Sequence, residues 1–518
     1  MSDSVFYVTT PIYYPNADPH IGSAYTTVAG DFICRFRRMQ GRAVHYLTGT
    51  DEHGQKILQT AEAAGMSPID FLDSIVPKYV EAWAALDIRY DDFIRTTEER
   101  HEKAVAAFVQ DLYDRDQIYL GTYEGLYCVG CEAFKLPDEL VDGKCPLHGT
   151  VPDVVKEDNY FFKLSAFADR LIELYEKEPT RLLPEARRNE ILGKLKGGLD
   201  DLSISRVSFD WGVPIPWDPK HVIYVWVDAL QNYITAIGYG WDDANFRRLW
   251  PVDIHLVGKD ILWFHTVIWH AMLMALDLPL PKTVFAHGFL QVGGEKMSKS
   301  RATAIHPSVL TDVVGVDGYR YHFMREFSFG LDGNFSWEGM IARYNSDLAN
   351  DLGNLASRVL SMISRYVDGI VPKAPTPDEV TDVESALIAA QEAAFAGMRA
   401  GIDAVAPQDA LKACWSFVRK ANAYVEEVTP WVLAKDLPKS ARRLEVVLYH
   451  LGDSLRLLAL MTAPIMPRAA QELWERLGLE GRVEEHSFDD EMGWGRLVAG
   501  AKVRTGDPLF PRIDEAES

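Results

Sequence analysis

Two short segments of the chain combine residue types that suit phosphate chemistry. Residues 19–23 read Pro-His-Ile-Gly-Ser at the start of an expected helix. A helix N-terminus offers unpaired backbone N–H groups and a positive dipole end, Gly22 permits close approach, and His20 can donate to a phosphate oxygen. Residues 296–300 read Lys-Met-Ser-Lys-Ser after Gly293 and Gly294. Two lysines on a glycine-hinged loop can follow charge developing on a leaving phosphate, although a capped helix and a basic surface loop are the alternatives.

A third set of residues has the spacing of metal ligands. Cys128 and Cys131 form one Cys-x-x-Cys pair, and Cys145 and His148 form a Cys-x-x-His pair beyond residues 132–144. Four such ligands match a tetrahedral zinc site without an open coordination position, which predicts a structural zinc. A redox Cys-x-x-Cys is the alternative, but it leaves the second pair unexplained.

The elements that must position the first segment alternate between strand and helix. Residues 5–10 and 44–50 have the β-rich composition of strands, and residues 20–39 are expected to form the helix between them. This order predicts a right-handed parallel crossover. Ligands of such sheets bind at the carboxyl ends of the strands, where the loops at residues 11–20 and 48–54 are expected to lie.

The residue composition and the predicted secondary structure of the rest of the chain change from segment to segment. Between residues 119 and 219, short aromatic runs, glycines and the cysteine cluster predict an inserted domain. The α/β pattern then returns, with predicted strands at residues 223–227, 254–257 and 283–286 and a predicted helix at residues 261–275. From about residue 346, apolar residues recur at helical spacing and predict a helical bundle: Leu348, Leu352, Leu355, Val359 and Met362. The tail from Val503 is expected to be extended.

The composition is that of a globular chain with an acidic balance. Hydrophobic residues make up 47% and charged residues 25%, and the net charge is −22. No apolar run reaches the ~18 residues of a membrane span, and the N-terminal residues lack the pattern of a secretory signal. The five cysteines, three of them in the metal-ligand set, are typical of a reducing cytoplasm. The acidic balance neither establishes nor excludes a nucleic-acid partner, because binding needs only a local basic patch.

The two phosphate-type segments, in this order within a split α/β domain, resemble the signature pair of the class I aminoacyl-tRNA synthetases. The resemblance implies in-line attack of an amino-acid carboxylate on the α-phosphate of ATP, with no covalent enzyme intermediate. It implies His20, Ser23, Lys296 and Lys299 as catalytic residues. Ser23 stands where the family normally has a second histidine, which removes one charge-assisted contact worth about 1–3 kcal/mol if nothing compensates.

Further segments resemble the methionine-specific synthetases in their bacterial form with one zinc knuckle: residues 10–14, 48–54, 224–229 and 258–261. The fold implied is α/β, with a Rossmann-type parallel-sheet catalytic domain, split by a zinc-containing connective insertion and followed by an α-helical anticodon-binding bundle. The implied domains are residues 1–118 and 221–285 for the two halves of the catalytic domain, 119–220 for the insertion, 286–345 for the Lys-Met-Ser-Lys-Ser loop and stem-contact region, and 346–518 for the anticodon-binding domain and tail.

The resemblance also implies the roles of individual residues. The methionine side chain would lie among Tyr14, Trp226, Ala229, Leu230, Tyr233, Ile261 and His265. The backbone of Ile12 and the carboxylate of Asp51 would hold the α-amino group, and Arg206 would lie near the site. Aromatic walls suit an apolar, polarizable thioether, and a carboxylate suits an ammonium. ATP with Mg²⁺ would contact His20, Gly22, Ser23, Lys259, Asp260, Gly288, Lys296, Met297, Ser298, Lys299 and Ser300.

Three residues of the predicted bundle are implied to read a CAU anticodon. Asn354 and Arg358 are four residues apart and share a helix face, and Trp431 follows Thr429 and Pro430. Polar readers beside a stacking tryptophan suit single-stranded RNA. The implied partner is tRNA(Met), including the initiator. The oligonucleotide-binding barrel that makes some family members dimeric is absent, so a monomer is expected.

Three alternatives to this function stay open. Another class I specificity is one, but the valine, isoleucine and leucine enzymes carry a large editing insertion, since one methylene gives only ~1–3 kcal/mol of discrimination. A cysteine-specific enzyme would hold its zinc in the active-site pocket. A nucleotidylyltransferase shares the first motif but lacks the bundle. An inactive RNA-binding paralogue is suggested by Ser23, and the intact Lys296 and Lys299 argue against it.

Overall fold

The computed structural model describes residues 5–130, 133–135, 137–292, 295–296, 305–437 and 439–514. The chain forms two compact units. The first contains Met1–Pro19, Val44–Trp83 and Arg89–His287, and the second contains His20–Ala43, Ala84–Ile88 and Gly288–Ser518. No helix of the described part is long and apolar enough to cross a bilayer.

The strands are concentrated in the first unit. In chain order they are β1 Phe6–Thr9, β2 Val44–Thr50, β3 Asp92–Arg95, β4 Ile118–Cys128, β5 Ala133–Lys135, β6 Asp153–Phe162, β7 Leu182–Leu183, β8 Leu202–Ser203, β9 Ser205–Arg206, β10 Pro214–Ile215, β11 Asp218–Ile223, β12 Ile254–Gly258, β13 Val284–His287, β14 Leu290–Val292, β15 Glu295–Lys296 and β16 Gly333–Phe335.

Helices occur in both units and dominate the second. In chain order they are α1 Ile21–Met39, α2 Gln55–Ala63, α3 Pro68–Ala85, α4 Glu99–Asp114, α5 Ala168–Lys177, α6 Glu185–Leu195, α7 Val225–Leu230, α8 Asn232–Thr235, α9 Asp243–Leu249, α10 Trp269–Ala275, α11 Pro307–Glu326, α12 Trp337–Arg343, α13 Asn354–Tyr366, α14 Asp382–Asp403, α15 Pro407–Val428, α16 Pro430–Leu433, α17 Ala441–Thr462, α18 Pro467–Arg476 and α19 Phe488–Glu491. Phe264–Ile268 and Tyr344–Gly353 are π-helical segments.

A six-stranded parallel sheet organises the first unit. Its order is β3-β2-β1-β12-β13-β7, and every neighbouring pair is parallel. The chain order reverses between β1 and β12, which creates the crevice at the carboxyl ends of the strands where ligands of such sheets bind. The strands predicted near residues 5–10, 44–50, 254–257 and 283–286 are confirmed as β1, β2, β12 and β13.

The prediction of a strand at residues 223–227 is wrong. Strand β11 ends at Ile223, and Val225–Leu230 forms the short helix α7 instead. The consecutive residues Ile223, Tyr224 and Val225 are all buried, so burial in this segment does not alternate from one residue to the next. A short apolar run of this kind cannot distinguish a buried strand from a buried helix, and the β-branched residues favoured the wrong choice.

The predicted insertion at residues 119–220 contributes to more than one sheet. Strands β5, β4, β6 and β8 form a four-stranded antiparallel sheet, and β10, β11 and β9 form a small second one. Strand β7, however, joins the edge of the six-stranded sheet beside β13. This part of the chain therefore also supplies the edge strand of the six-stranded sheet. A strand of two residues is too short to be predicted from the sequence.

The second unit has a helical core. The apolar stripe predicted on the helix after residue 346 is buried: Leu348, Leu352, Leu355, Val359 and Met362. Helix α1 is tied to α11 by a fully buried ion pair in which Arg320 Nη2 lies 2.6 Å from Asp31 Oδ2. The guanidinium of Arg320 also donates to the carbonyls of Ile465 and Leu86. The buried charge of Arg320 is thus compensated, because each of its three guanidinium nitrogens finds an acceptor.

Candidate functional site

Two loops at the carboxyl edge of the parallel sheet are joined by backbone hydrogen bonds. The N–H of Tyr13, in the loop after β1, donates to the carbonyl of Gly49 at 3.0 Å, and the N–H of Asp51 donates back to the carbonyl of Tyr13 at 3.0 Å. Asp51 is buried, and Ile12 is half-buried beside Tyr13. The two residues predicted to hold an ammonium group therefore lie on loops that are fixed to each other.

Rings from three elements form an aromatic wall in the first unit. Trp226 of α7 stacks on Phe264 with ring centroids 3.8 Å apart and 8° between the planes, and its ring lies edge-on to His265 at 6.4 Å. Tyr233 of α8 lies 5.6 Å from His265 and 4.3 Å from His255. The edge-on contact of Trp226 with His265 is an arrangement that aromatic rings favour, and its contact with Phe264 is a closer face-to-face stack.

The hydrogen bonds of His265 fix its tautomer. Its Nδ1 donates to the carbonyl of Ile261 at 2.9 Å, because a carbonyl can only accept. Its Nε2 then accepts from the hydroxyl of Tyr233 at 2.7 Å. Burial lowers the pKa of His265 to about 4, so the ring is neutral at pH 7. An uncharged wall suits an apolar side chain.

The remaining pocket residues pack around the same core. Ala229 and Leu230 of α7 are buried, and Leu230 belongs to the core cluster that contains Tyr233. Ile12, Tyr14 and Ile261 pack against that cluster as partly buried residues. Burial raises the pKa of the Tyr233 phenol, and the charges of Tyr13 and Asp51 raise it further by a smaller amount. The Asp51 carboxylate therefore acts electrostatically on Tyr233. The predicted methionine residues thus all lie in the first unit, most of them in or against one core cluster.

Lys259 and Asp260 follow directly from strand β12. They lie in the 3-10 turn Lys259–Ile261, with Asp260 exposed and Lys259 half-buried at the carboxyl end of the strand. A Cβ on Gly258 would come within 2.6 Å of Asp260 Oδ1. Glycine at this position is therefore what allows the Asp260 carboxylate to fold over the strand end.

The start of helix α1 differs from the expectation of unpaired N–H groups. His20 is the N-cap, and its Nδ1 accepts from the N–H of Gly22 at 3.0 Å. The Ser23 hydroxyl donates to the His20 carbonyl at 2.8 Å and accepts from the His20 N–H at 3.2 Å, while the N–H of Ile21 donates to the Ile305 carbonyl at 2.9 Å. The prediction of free N–H groups is wrong here, because the His20 cap takes up the N–H of Gly22 and the Ile305 carbonyl takes up that of Ile21.

Gly288 lies two residues before β14 and Lys296 ends β15, and these two strands belong to a small sheet of the second unit. A Cβ on Gly288 would lie 2.1 Å from the carbonyl oxygen of Leu331, so only glycine allows the two backbones to approach. Lys296 pairs with Gln291 in the hairpin of β14 and β15. The other members of the predicted loop lie outside the described residues: Met297, Ser298, Lys299 and Ser300.

Three of the four predicted metal ligands converge. The Nδ1 of His148 lies 3.9 Å from Cys128 Sγ and 3.7 Å from Cys145 Sγ, and the three ligand atoms lie within 4.8 Å of one another. Tetrahedral bonds of ~2.0–2.3 Å place zinc ligands about 3.5–3.8 Å apart, so the set fits zinc. A Cβ on Gly130 would lie 2.6 Å from the His148 ring, which explains the glycine. Cys131 lies outside the described residues.

Two of the three predicted anticodon residues meet in the second unit. The guanidinium of Arg358, on α13, lies 5.7 Å from the centre of the Trp431 ring, on α16. Arg358 also donates to Glu426 at 2.6 Å. Trp431 is half-buried and Asn354 is exposed, one turn before Arg358 on the same helix. A partly exposed tryptophan held by an arginine is suited to stack on a base.

Family models match nearly the whole chain. The model for tRNA synthetases class I (M) matches residues 6–152 and 137–360, and the model for the anticodon binding domain of methionyl tRNA ligase matches residues 372–518. The methionine–tRNA ligase of Streptomyces coelicolor is 51% identical over 524 residues, which cover 98% of this chain and 97% of the relative. The chain belongs to the class I methionyl-tRNA synthetases.

Other members of the methionyl-tRNA synthetase family support the same assignment. The methionine–tRNA ligase of Caldanaerobacter subterraneus is 49% identical over 510 residues, which cover 98% of this chain and 79% of that protein. The solved structure of Mycobacterium tuberculosis methionyl-tRNA synthetase in complex with methionyl-adenylate is 42% identical and superposes with a TM-score of 0.94 over 98% of this chain and all of that one. Its free-state structure gives a TM-score of 0.86.

Sequence reasoning missed a buried polar cluster beneath the pocket of this family member. His53, Asp228 and His101 are joined by hydrogen bonds of 2.7 and 2.8 Å. Two of the three lie within motifs that carried the family resemblance, at residues 48–54 and 224–229. No sequence signal connects them, because 175 residues separate His53 from Asp228. Phe264, the stacking partner of Trp226, was missed for the same reason.

Proposed function

We propose that the chain is a methionine–tRNA ligase that activates methionine with ATP and transfers it to tRNA(Met), initiator tRNA included. The observation that carries the proposal is the pocket of neutral aromatic rings beside a buried carboxylate, in a chain whose fold matches a solved methionyl-adenylate complex. An apolar wall and a fixed carboxylate are complementary to the thioether and the ammonium of methionine.

In the first step, a methionine carboxylate oxygen attacks the α-phosphorus of ATP. The bond from that phosphorus to the bridging β-phosphate oxygen breaks, and pyrophosphate leaves with its electron pair. In the first unit, Asp51 and the Ile12 backbone hold the ammonium, and the side-chain pocket is formed by Tyr14, Trp226, Ala229, Leu230, Tyr233, Ile261 and His265. These groups act by orienting the nucleophile, since the enzyme forms no bond to it.

ATP contacts are proposed separately for each unit. In the first unit, Lys259 and Asp260 are assigned to the nucleotide, with Asp260 at the ribose. In the second unit the assignment covers His20, Gly22, Ser23, Gly288, Lys296, Met297, Ser298, Lys299 and Ser300. Because Nδ1 of His20 accepts a hydrogen bond, the neutral ring carries its proton on Nε2, which can donate to a phosphate oxygen. Bound Mg²⁺ would neutralise phosphate charge.

In the second step, a ribose hydroxyl at the 3′ end of the tRNA attacks the carbonyl carbon of the adenylate. The acyl–phosphate bond breaks and AMP leaves. Selection of the tRNA is assigned to Asn354, Arg358 and Trp431, with Trp431 as the stacking surface. The domain boundaries proposed for these tasks are the sequence-derived ones, namely residues 1–118, 119–220, 221–285, 286–345 and 346–518. A monomer in a reducing cytoplasm completes the proposal.

The aminoacylation of two transcripts tests this proposal. A tRNA(Met) transcript with a CAU anticodon should accept methionine, and the same transcript with a changed anticodon should accept it at least ~100-fold less efficiently, on the scale of one to two lost base contacts. Failure to charge the CAU transcript while methionine is activated would contradict the transfer step. Equal charging of both transcripts would contradict the anticodon assignment.

A structural zinc on Cys128, Cys131, Cys145 and His148 gives a separate prediction. Cys145→Ser should lose its bound zinc, since the pair with His148 is broken, and amide exchange in β4 and β6 should accelerate because the metal stabilises a sheet with little core. Elemental analysis and hydrogen exchange measure the two effects. Cys34→Ser is the matched control, a buried cysteine outside the set that should keep zinc. Full zinc in the Cys145 variant would refute the site.

Removal of the Tyr233 hydroxyl should destabilise the chain. Tyr233→Phe leaves Nε2 of His265 as a buried acceptor without its donor, which costs about 1–3 kcal/mol. Urea unfolding measures this loss, and the KM for methionine should rise with it. Tyr113→Phe makes the same chemical change at a tyrosine that is 39% exposed and should stay within about 0.5 kcal/mol. Equal effects of the two variants would count against the pocket hydrogen bond.

A further inference from the structure

The cluster beneath the pocket is built around one fully buried carboxylate. Asp228 Oδ2 lies 2.7 Å from His53 Nδ1, and Asp228 Oδ1 lies 2.8 Å from His101 Nε2. Both carboxylate oxygens are thus used, and Asp228 and His101 have no exposed side-chain surface. His53 is also buried, and its Nε2 faces Glu102 Oε1 at 3.5 Å. Two carboxylates therefore flank one imidazole.

The carboxylates of the cluster stabilise the charged form of His53, and the histidines stabilise the charged form of Asp228. Burial by itself lowers the pKa of His53, but Asp228 and Glu102 outweigh it and raise that pKa to about 10. Burial likewise raises the pKa of Asp228, and the two histidines outweigh it and bring that pKa down to about 2. At neutral pH the His53–Asp228 contact is a buried ion pair, the kind of contact that is costly to break from one side.

The three residues lie on three separate elements, namely the loop after β2, α7 and α4. His53 lies two residues after Asp51 on the same loop. The indole N–H of Trp211 donates to the carbonyl of Glu52 in this loop at 2.7 Å. Asp228 lies on α7 between Trp226 and Ala229. His101, on α4, also bonds to Thr235 Oγ1 at 2.7 Å, and Thr235 lies on α8 with Tyr233.

Helices α7 and α8 need such support, because six and four residues are too few for a helix to be stable alone. The cluster links both of them, and the Asp51 loop, to the long helix α4. The cluster therefore adds a second connection, besides the sheet, between the Asp51 loop and the helices that carry Trp226 and Tyr233.

We propose that His53, Asp228 and His101 form a positioning cluster that holds the Asp51 carboxylate at a fixed distance from the side-chain pocket, so that amino group and side chain are recognised together. The inference rests on the proposed function and deepens it, since it concerns how one amino acid is selected. None of the three residues needs to touch the substrate. They act through Asp51 on one side and through Trp226, Ala229 and Tyr233 on the other.

The test compares two ligands that share a side chain. Methionine carries the ammonium, and 4-(methylthio)butanoate lacks it. The dissociation constant of the analogue divided by that of methionine therefore measures how much Asp51 contributes to binding the ammonium. In the full-length His53→Gln variant this ratio should fall about 10-fold, the change expected for one charged contact moved out of register. The KM for ATP should stay within about twofold of the unchanged protein.

Two further variants make the outcome decisive. His270→Gln removes another fully buried histidine of the same unit, which is bonded to Tyr175 outside the cluster, and should lower thermal stability without moving the ratio. Glu102→Gln changes a side chain that is 46% exposed, so it keeps the fold, and the ratio should fall about threefold, the scale of a partly exposed ion pair.

An unchanged ratio in both His53→Gln and Glu102→Gln, or an equal loss of affinity for both ligands, would show a purely structural cluster and overturn the inference. If His53→Gln does not fold, Glu102→Gln alone decides. The proposed function fails in a different way: the unchanged protein would then show no methionine-dependent pyrophosphate exchange, whatever the variants do.

Discussion

Asp51→Asn should lower kcat/KM for methionine in ATP–pyrophosphate exchange by about 100- to 1,000-fold. The amide keeps the size of the side chain but removes the charge opposite the ammonium at a site where Asp51 is only 3% exposed. One-sided loss of a buried charge pair costs about 3–5 kcal/mol, which corresponds to this range or more. The KM for ATP should change little, because the carboxylate is assigned to the amino acid alone.

The control for this prediction is Asp18→Asn. Asp18 lies in the loop after β1, is largely exposed, and pairs with Lys78 at 2.7 Å on the surface. Exposed pairs contribute at most about 1 kcal/mol, so exchange should stay within about twofold. A loss smaller than about fivefold for Asp51→Asn would remove Asp51 from the ammonium site and leave the aromatic pocket without a counter-charge.

Trp431→Ala should raise the KM for tRNA in aminoacylation by about 10- to 100-fold while leaving tRNA-independent exchange unchanged. A base stacked on an aromatic ring contributes about 1–3 kcal/mol, and the alanine also releases Arg358, which lies 5.7 Å from the ring centre. Steady-state charging with varied tRNA measures the effect.

Val432→Ala is the matched control for Trp431. Val432 lies next along α16 and is 51% exposed, so its loss should not alter either reaction by more than about twofold. If Trp431→Ala weakened exchange and charging equally, the tryptophan would be a core residue of the bundle and the anticodon surface would lie elsewhere.

The sequence predicted the parallel sheet well where strands are buried on both faces. Strands β1 and β2 are short β-rich runs, the first followed by a Pro-containing loop and the second by a loop that reaches Gly54, and both signals are local. Helix α7 has the same apolar texture, yet it is a helix, because burial on all sides removes the periodicity that separates the two.

The residues proposed for the candidate site could be named from the sequence, but the contacts between them could not. Residues that belong to the family motifs could be named in advance, whereas the contacts that fix them arise only in three dimensions. The tie between His53 and Asp228, the stack of Phe264 on Trp226 and the joining of β7 to β13 all connect distant parts of the chain. Long-range contacts of this kind leave no trace in spacing or periodicity.

Ser23 has a structural role that its position in the motif does not indicate. In sequence it is a departure from a motif that normally ends in histidine. In the structure its hydroxyl both donates to and accepts from the backbone of His20, so it completes the cap of α1. A serine that caps the helix holds the backbone of His20, whose ring we propose for phosphate binding, although the serine adds no charge of its own.

The most direct test of the account is ATP–pyrophosphate exchange by the unchanged protein, without tRNA, with each of the twenty amino acids supplied separately. Methionine should support exchange, and the other nineteen amino acids should support at most trace exchange. Exchange with a different amino acid would contradict the pocket assignment while leaving the class I chemistry intact. No exchange with any amino acid would contradict the activation step itself and would make Ser23→His the first variant to restore it.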